Sequence, residues 1–289
     1  DFTVAGNLRI IMRGGNDTVT VSDLDVTDGV TAVMGGGDDS LDFTSGNVGA
    51  MAVRGGGGND DLSVTTTDVG DDLVAVMGGG DDTVSLDGVT VGDDLVVVSV
   101  EGAGALDAFD VEVVDQLLVR ASGGDDTIIF DGGDAGTRAK VITGGGNDNV
   151  EFTSSLVSGD FVSILGGGND SLLVDNSDIG DRSRIVAGGG DDALTMVDAF
   201  VDGDLTVVAG GGDDTLNVTT SRFDGSTSAR TGGGNDTISF TGSLLSNNMF
   251  AADVLLNGGG GADVLNGTTP NFSIAPDVIS ITDNLIDPV

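Results

Sequence analysis

Apolar and polar residues alternate along this chain in short stretches, and the stretches recur every 22 residues. In residues 188–209, with Gly188 counted as position 1, positions 7 and 9 are apolar and the residues beside them are polar. A period of two over so few residues is typical of a strand with one buried face. Further apolar residues at positions 14, 18 and 20 predict two or three short strands in each repeat.

The repeat predicts the fold class. A fixed period carried by a turn marks a solenoid, and no helical start signal is followed by 3.6-residue apolar spacing. We therefore expect an all-β fold, a right-handed parallel β-helix (β-solenoid) of about twelve coils of 22 residues each. We expect one solenoid domain over residues 1–267 and a capping or assembly segment over residues 268–289.

Three irregularities interrupt the repeat. One coil has Gly104 where the other coils have an aspartate, although its apolar columns persist. The spacing rises to 27 residues between Asp236 and Asp263, which predicts an extra loop near residues 243–250. The chain also starts in mid-coil at Val4, and such an open coil edge favours end-to-end association with another chain.

One acidic residue per coil follows the Gly-Gly-Gly turn, at position 5. The aspartates of this row are Asp17, Asp39, Asp60, Asp82, Asp126, Asp148, Asp170, Asp192, Asp214, Asp236 and Asp263. Position 4 changes between Asp and Asn, whereas position 5 is never Asn. Asp and Asn both form turns, so a position that only has to form a turn accepts either residue. A position that contains Asp and never Asn needs the negative charge. We therefore predict that the position 5 aspartates bind metal.

The alternative interpretation is that these aspartates only close a tight turn. Carboxylates stacked ~5 Å apart repel by about 3 kcal/mol per pair at an effective dielectric constant of ~20, and a dication between coils removes that repulsion. Calcium accepts six to eight oxygen ligands in flexible geometry, including the carbonyls that glycine turns expose. Zinc prefers His or Cys, which the chain lacks. Glycine at positions 1 to 3 permits positive φ beside an ion.

The amino-acid composition limits the kinds of molecule that the chain can bind. The net charge of −38 excludes unaided binding to nucleic acid or to an anionic membrane surface and favours cations. Without cysteine, neither disulfides nor thiolate sites stabilise the chain. No apolar run approaches the ~20 residues that span a bilayer, so we expect no membrane insertion.

The turn resembles a known repeat. Gly188, Gly190, Asp192 and Leu194 resemble the glycine, aspartate and aliphatic positions of the RTX (repeats-in-toxin) nonapeptide. This resemblance implies a right-handed β-roll with calcium between turns, secretion, and folding triggered by calcium. The coils are also similar to repeats of ice-binding bacterial adhesins, although Gly167 stands where those repeats have an outward threonine. Because the second half of each coil lacks a matching motif, a single row of calcium ions is expected.

Three classes of function stay open at this stage. A polysaccharide lyase would need basic and acidic groups clustered in a cleft, but the chain has no His or Tyr and scattered Arg, so we expect no enzyme. An extracellular structural solenoid, associating end to end in a filament, matrix or surface layer, fits the regular coils better. An adhesin or ice-binding module is the alternative. Apolar residues at position 21, such as Val76 and Val98, indicate either a local bend or a lateral packing face.

Overall fold

The computed structural model describes residues 2–241, 248–250, 252–267, 272–274, 279–282 and 285–286. It separates into two compact units, Asp1–Thr143 (unit 1) and Gly144–Val289 (unit 2). The described residues contain β-strands and no helix, hence no helix that could cross a membrane. Most of the loop expected at residues 243–250, and the side chains of the segment 268–289, lie outside the described residues. The boundary expected at residue 267 stays a prediction.

Unit 1 contains two kinds of strand, which belong to two sheets. In chain order the strands are β1 (Phe2–Val4), β2 (Asn7–Gly14), β3 (Thr18–Ser22), β4 (Leu24–Val26), β5 (Gly29–Gly36), β6 (Ser40–Val48), β7 (Met51–Gly57), β8 (Asp61–Val69), β9 (Leu73–Gly79), β10 (Asp82–Asp87), β11 (Thr90–Val91), β12 (Leu95–Glu101), β13 (Gly104–Phe109), β14 (Glu112–Val113), β15 (Gln116–Arg120), β16 (Thr127–Asp131), β17 (Asp134–Ala135) and β18 (Arg138–Gly145). Strands β2, β5, β7, β9, β12, β15 and β18 form the second sheet, and the others form the first sheet.

Unit 2 repeats the same order. Its strands are β19 (Asn149–Thr153), β20 (Leu156–Val157), β21 (Asp160–Gly167), β22 (Ser171–Asp175), β23 (Asp178–Ile179), β24 (Ser183–Gly189), β25 (Ala193–Val197), β26 (Phe200–Val201), β27 (Leu205–Gly211), β28 (Thr215–Thr219), β29 (Arg222–Phe223), β30 (Thr227–Gly233), β31 (Thr237–Thr241), β32 (Asn248–Phe250), β33 (Val254–Gly260), β34 (Asp263–Gly267), β35 (Phe272–Ile274), β36 (Ile279–Thr282) and β37 (Leu285–Ile286). Strands β21, β24, β27, β30, β33 and β36 belong to the second sheet.

The strands pair in parallel, and each residue lies beside its equivalent in the next coil. Val84 of β10 pairs with Leu106 of β13, and Leu194 of β25 pairs with Leu216 of β28. The prediction of an all-β parallel solenoid with 22-residue coils is confirmed, with about eleven coils where about twelve were expected. Its right-handed sense stays a prediction.

The predicted apolar columns form the core between the two sheets. Residues at positions 7, 9 and 14 are buried on the first sheet, and those at 18 and 20 are buried on the second, as in Leu73 and Ala75. In unit 2 the rings of Phe152 and Phe161, from opposite sheets, meet at a centroid distance of 4.9 Å. Position 22 is also apolar and buried in several coils, which the sequence pattern did not single out: Met34, Met77, Leu165, Ala187 and Ala209.

The second-sheet strands do not bend at position 21. In β9 the burial alternates without a break, with Leu73, Ala75 and Met77 inside and Val74 and Val76 half-buried on the outer surface. The interpretation of position 21 as a local bend that buries both faces is therefore wrong. The apolar residues at this position lie on the outside of the sheet.

A corner at position 11 separates the two strands of the first sheet, and the sequence analysis missed it. Its residues have positive φ although most are not glycine, for example Asn176 at 47° and Asp198 at 47°. Short polar side chains tolerate this conformation better than branched or bulky ones. The signal was present in the sequence as Asp, Asn, Ser, Thr or Gly at position 11 in coil after coil: Asp23, Ser45, Thr66, Gly88, Asp110, Gly132, Ser154, Asn176, Asp198 and Thr220.

Candidate metal centre

Glycine has a structural cause at two of the three turn positions, although Arg13, Val100 and Ser122 stand at position 1 in three coils. Positions 1 and 3 have positive φ, as in Gly188 (123°) and Gly190 (126°). A Cβ on Gly188 would lie 1.8 Å from the carbonyl oxygen of Gly166 in the neighbouring coil, so no side chain fits. Position 2 differs, because Gly189 has no positive φ and nothing lies within 4 Å of a Cβ placed there. Of the three glycines, the first and the third thus use the positive φ that glycine permits, and the middle one does not.

The predicted aspartate row lies inside the turn. Asp17 is half-buried, and the later aspartates of the row, from Asp39 to Asp263, are at most 2% exposed. The strand that follows each aspartate turns the residue at position 7 into the core, and the tight glycine turn draws position 5 inward with it. The prediction that these residues share one place in every coil is confirmed. Their role as metal ligands stays a prediction.

Each aspartate of this row uses one carboxylate oxygen as a backbone acceptor, and we call the row the inner ladder. Its Oδ1 accepts a hydrogen bond from the backbone N–H of the equivalent residue in the preceding coil. In unit 1 the donors and acceptors are Asp17 to Asp39 (2.8 Å), Asp39 to Asp60 (3.0 Å), Asp60 to Asp82 (2.9 Å) and Gly104 to Asp126 (2.6 Å). In unit 2 they are Asp148 to Asp170, Asp170 to Asp192, Asp192 to Asp214 and Asp214 to Asp236 (each 2.9 Å), then Asp236 to Asp263 (3.0 Å).

The second carboxylate oxygen of the inner ladder faces no donor. Buried Oδ2 atoms without a hydrogen-bond partner belong to Asp39, Asp60, Asp82, Asp170, Asp192, Asp214, Asp236 and Asp263. Leaving a buried, charged acceptor unsatisfied costs several kcal/mol, so a proton or a cation has to compensate each oxygen. If a proton compensated Oδ2, the aspartate would present an O–H donor there, and an asparagine would present an NH2 donor in the same place. The absence of Asn from position 5 therefore favours a cation over a proton.

Position 4 forms an exposed counterpart, which we call the outer ladder. Here the side-chain Oδ1 accepts the backbone N–H of the following coil, so the direction is opposite to that of the inner ladder. Asn169 Oδ1 accepts from Asp191 at 2.8 Å, and Asp191 Oδ1 accepts from Asp213 at 2.7 Å. Because both Asn and Asp offer this oxygen and solvent reaches the rest of the side chain, either residue suffices. The Asp and Asn alternation at position 4 thus has a structural cause.

The coil of Gly104 shows how the turn adapts when the acid is missing. The N–H of Asp82, which would donate to a position 5 carboxylate, donates instead to the carbonyl oxygen of Ala103 at 3.0 Å. A Cβ on Gly104 would lie 2.8 Å from Cβ of Ser99, whose buried side chain takes the space beside the turn. Strand β12 shifts its register here against β9. The predicted gap in the acid row, with the coil retained, is confirmed.

Burial disfavours the charged form of the inner carboxylates. It raises the pKa of Asp60, Asp170 and Asp214 to about 6 and that of Asp192 to about 7. The backbone N–H that each Oδ1 accepts lowers these pKa values, and neighbouring aspartates of the ladder raise them further. The pKa of Asp82 is also raised by burial. Negative charge without a compensating cation is therefore unfavourable in this row.

The oxygen atoms around the inner ladder fit a hard cation. A Cβ on Gly55, at position 22, would lie 2.2 Å from the carbonyl oxygen of Met77 and 2.5 Å from Oδ2 of Asp60. Two acceptors thus border one small volume, at distances close to those of calcium–oxygen bonds. Gly258 differs, because a Cβ there would lie 2.4 Å from Oδ2 of Asp263 but also 2.8 Å from Cβ of the same residue. In other coils position 22 holds a buried apolar residue, such as Met34 or Leu165, whose side chain offers no ligand.

Carboxylates alone do not complete a coordination sphere in the inner ladder. Among the described residues, the one group of three acids with oxygens within 4.8 Å of one another is Asp93, Asp94 and Asp115, which lies outside the ladder. A cation in the ladder would take its remaining oxygen ligands from backbone carbonyls.

The second turn of the coil carries a further acidic row, at position 17, that the sequence analysis did not single out. Asp94 N–H donates to Oδ1 of Asp72 at 3.1 Å, and Ser226 N–H donates to Oδ1 of Asp204 at 2.8 Å. These side chains stabilise the stacking of the turns as the outer ladder does. The available signal was a repeated Gly-Asp at positions 15 and 16 or 16 and 17.

An open groove of about 310 Å³ in unit 2 places acids and bases together. It is lined by Asp160, Arg182, Arg184 and Asp204 among others. Nε of Arg182 lies 3.4 Å from Oδ1 of Asp160, and the arginine side chain is 66% exposed. Exposed ion pairs of this kind contribute little energy and are common on protein surfaces.

Comparisons with known proteins give no assignment. No protein-family model matches the chain. No curated protein and no solved structure matches it significantly. The function must be argued from the inner ladder itself.

Proposed function

We propose that this chain is an extracellular structural β-solenoid whose coils are held together by calcium ions along the inner ladder. One observation carries the proposal: coil after coil buries a carboxylate oxygen that accepts no hydrogen bond, at a position that never contains Asn. Unfavourable burial of negative charge is removed when a cation binds the same oxygens.

Calcium suits the donor set better than other common ions. The oxygens come from carboxylates and from carbonyls in a tight turn, and calcium accepts irregular sets of such ligands. Magnesium demands octahedral geometry and keeps its water, which a buried turn does not provide. When bound, calcium would supply positive charge between coils and stabilise their stacking.

Calcium dependence connects the proposed role to location. A chain whose folded state binds calcium and whose unfolded state does not is stabilised as the free calcium concentration rises. Calcium is abundant outside cells, so a secreted chain would fold and stiffen after export. A row of such ions would suit a protein that gives mechanical shape to a filament, matrix or surface layer.

A calcium titration followed by circular dichroism tests the proposal. We expect little β-structure in chelator at neutral pH, a cooperative gain of β-structure as calcium is added, and several ions bound per chain by calorimetry. Magnesium at the same concentration is the control and should restore much less structure. Full β-structure in chelator at neutral pH would sink the proposal and leave the aspartates as turn residues.

End-to-end association is a separate part of the proposal. Parallel strands at the end of a stack present unpaired backbone groups, which can pair with another copy. Light scattering in millimolar calcium checks it, and a monomer at all concentrations would contradict it.

A second candidate, the ice-binding module, draws on the outer surface of the first sheet. In unit 2, Thr215, Asn217 and Thr219 of β28 pair in register with Thr237, Ser239 and Thr241 of β31, which makes an array of hydroxyl and amide groups. In unit 1 acids such as Asp42, Asp61 and Asp87 interrupt the equivalent array. Thermal hysteresis above the buffer value would support this candidate, and its absence would leave the structural role. We propose no catalytic activity.

A further inference from the structure

The outer surface of the second sheet in unit 1 has an unusual composition. Its outward residues, at positions 19 and 21 of strands β2, β5, β7, β9, β12, β15 and β18, are Arg9, Ile11, Thr31, Val33, Ala52, Arg54, Val74, Val76, Val96, Val98, Leu118, Arg120, Lys140 and Ile142. Four are basic, nine are apolar and none is acidic, although 48 of the 289 residues of the chain are Asp or Glu. We call this surface the acid-free face. Acids such as Asp72 and Asp94 lie at its margin, where the strands begin.

The opposite surface of unit 1 has the complementary charge. The outward residues of the first sheet, at positions 6, 8 and 10, include five acids and no base, and most of the others are Ser or Thr. We call this surface the acidic face. Its acids are Asp42, Asp61, Asp87, Asp107 and Asp131. Two opposite faces of one unit therefore carry charges of opposite sign.

A row of glycines at position 2 continues beside the acid-free face and is interrupted by the exposed Glu101 of β12. The second-sheet strands β5, β7 and β9 run on to position 2, where Gly36, Gly57 and Gly79 have no positive φ. A Cβ would meet nothing within 4 Å at Gly57 and only ordinary contacts, at 3.5 Å or more, at Gly36 and Gly79. Neither sterics nor backbone conformation within the chain requires glycine here. A glycine that the fold does not need is expected where another backbone or ligand approaches closely.

We propose that the acid-free face of one copy packs on the acidic face of a second copy, through unit 1 of each. Arg54 and Arg120 would then lie among aspartates of the partner copy, while Val76 and Val98 are removed from water. A chain of net charge −38 repels its own copies over most of its surface, so an acid-free face is where a close approach costs least.

The size of the face is sufficient for a specific contact. Seven strands at about 4.8 Å spacing and six residues at about 3.3 Å give a rectangle of about 34 by 20 Å, or roughly 680 Å² per copy. The total of about 1,400 Å² lies in the range of specific interfaces. Because the two faces differ, each copy can bind one neighbour on each side, which produces open lateral stacks. This contact involves neither the coil ends nor the inner ladder, so it is independent of the proposed function.

Charge reversal on each face tests the proposal. Sedimentation velocity would compare the full-length protein, folded in calcium, with Arg54→Glu/Arg120→Glu and with Asp87→Lys/Asp107→Lys. We expect each double variant alone to weaken self-association at least about tenfold, because the first leaves the acid-free face without net charge and the second leaves the acidic face with a net charge of only −1. An equimolar mixture of the two variants should associate again, since each supplies the face that the other lost.

The matched control is Asp68→Lys/Asp134→Lys, which makes the same charge change at position 13, beyond the corner and off both faces. It should not weaken association, and circular dichroism should show native β-structure in all variants. A monomeric parent protein up to high micromolar concentration would overturn the proposal. So would unchanged association of Asp87→Lys/Asp107→Lys, which would indicate that two acid-free faces pack on each other, or a mixture that fails to associate.

Discussion

The inner and outer ladders occupy neighbouring positions of the same turn and solve the same backbone problem. At the turn, the N–H of each residue needs an acceptor in a neighbouring coil, and a side-chain Oδ1 provides it in both ladders. Asp192 accepts from the coil before it at 2.9 Å, whereas Asp191 accepts from the coil after it at 2.7 Å. The two ladders differ in what surrounds the second oxygen.

That difference explains the residue choice at each position. In the outer ladder the second terminal atom of the side chain, Nδ2 of Asn or Oδ2 of Asp, is hydrated by solvent. Asn and Asp can therefore replace each other at position 4. In the inner ladder Asp192 is 2% exposed and its Oδ2 faces no donor, so the charge must be balanced from within the turn. Hydrogen bonding thus accounts for both ladders, and only the inner ladder demands a cation or a proton.

The largest effect should come from titrating the whole inner ladder. The pKa values of about 6 for Asp60, Asp170 and Asp214 and about 7 for Asp192 lie above the ordinary value of 3.8. In chelator the protonated form is favoured by folding, so stability is fully present below about pH 4 and is lost as the pH rises through 6 to 7. In calcium, protons compete with the ion, so stability should instead fall as the pH decreases through this window.

Urea denaturation in calcium at pH 5.5 and 7.5 measures one slope, and the β-structure retained in chelator over the same pH range, followed by circular dichroism, measures the other. Ordinary exposed carboxylates titrate below this window, so relief of general repulsion contributes little there. Slopes of the same sign in calcium and in chelator would contradict cation binding by the inner ladder.

Removing one charge from each ladder should give the next largest effect. Asp192→Asn and Asp191→Asn are isosteric, retain Oδ1 and change neighbouring residues of one turn. In calcium we expect Asp192→Asn to lower the free energy of unfolding by roughly 2–4 kcal/mol, because a bound cation loses a buried partner. In chelator the same change should stabilise the protein, because it removes an uncompensated buried charge.

For Asp191→Asn in the outer ladder, the change in unfolding free energy should stay within about 0.5 kcal/mol both in calcium and in chelator. Chemical denaturation of the two variants side by side gives the answer. Equal losses in calcium would show that the ladders do not differ in the way proposed.

Placing an aspartate at Gly104, where the inner ladder lacks one, should change stability less than Asp192→Asn does in calcium. Gly104→Asp alone should destabilise by about 1–3 kcal/mol, because its Cβ would lie 2.8 Å from Cβ of Ser99. Gly104→Asp with Ser99→Gly removes that crowding and should bind one more calcium ion per chain than the parent. Metal analysis of the purified proteins counts the ions. If stability recovers in the double variant without an added ion, position 5 acids act only as acceptors.

The smallest effect is expected from adding charge to the outer ladder. Asn169→Asp retains the acceptor for the N–H of Asp191, now 2.8 Å away, and should alter the unfolding free energy by less than about 0.5 kcal/mol. Asn169→Ala removes the acceptor and should cost about 0.5–1.5 kcal/mol. Thermal denaturation of both variants checks the order, and a larger cost for Asp than for Ala would contradict the hydrogen-bond account.

Much of the fold could be predicted because the apolar columns repeat. Position 7 and position 9 define one buried strand face, and register follows once each coil has the same length. The corner at position 11 was missed because its signal is a mixed set of Asp, Asn, Ser, Thr and Gly, not one residue type. Position 22 was missed because the residue that fills it varies from Gly55 to Leu165, and only the packed structure shows that it always points inward.

The sequence by itself determined the period, the parallel stacking, the acid row and its gap at Gly104, since each depends on residue type at a fixed spacing. It also separated position 5 from position 4 through the absence of Asn. Only the tertiary structure decided that the inner aspartates are buried, that Oδ1 is used by the backbone and Oδ2 is not, and that one outer face lacks acid. The physical reason is that burial and hydrogen bonding of a side chain depend on the neighbouring coils, which lie 22 residues away in the chain and in contact in the fold.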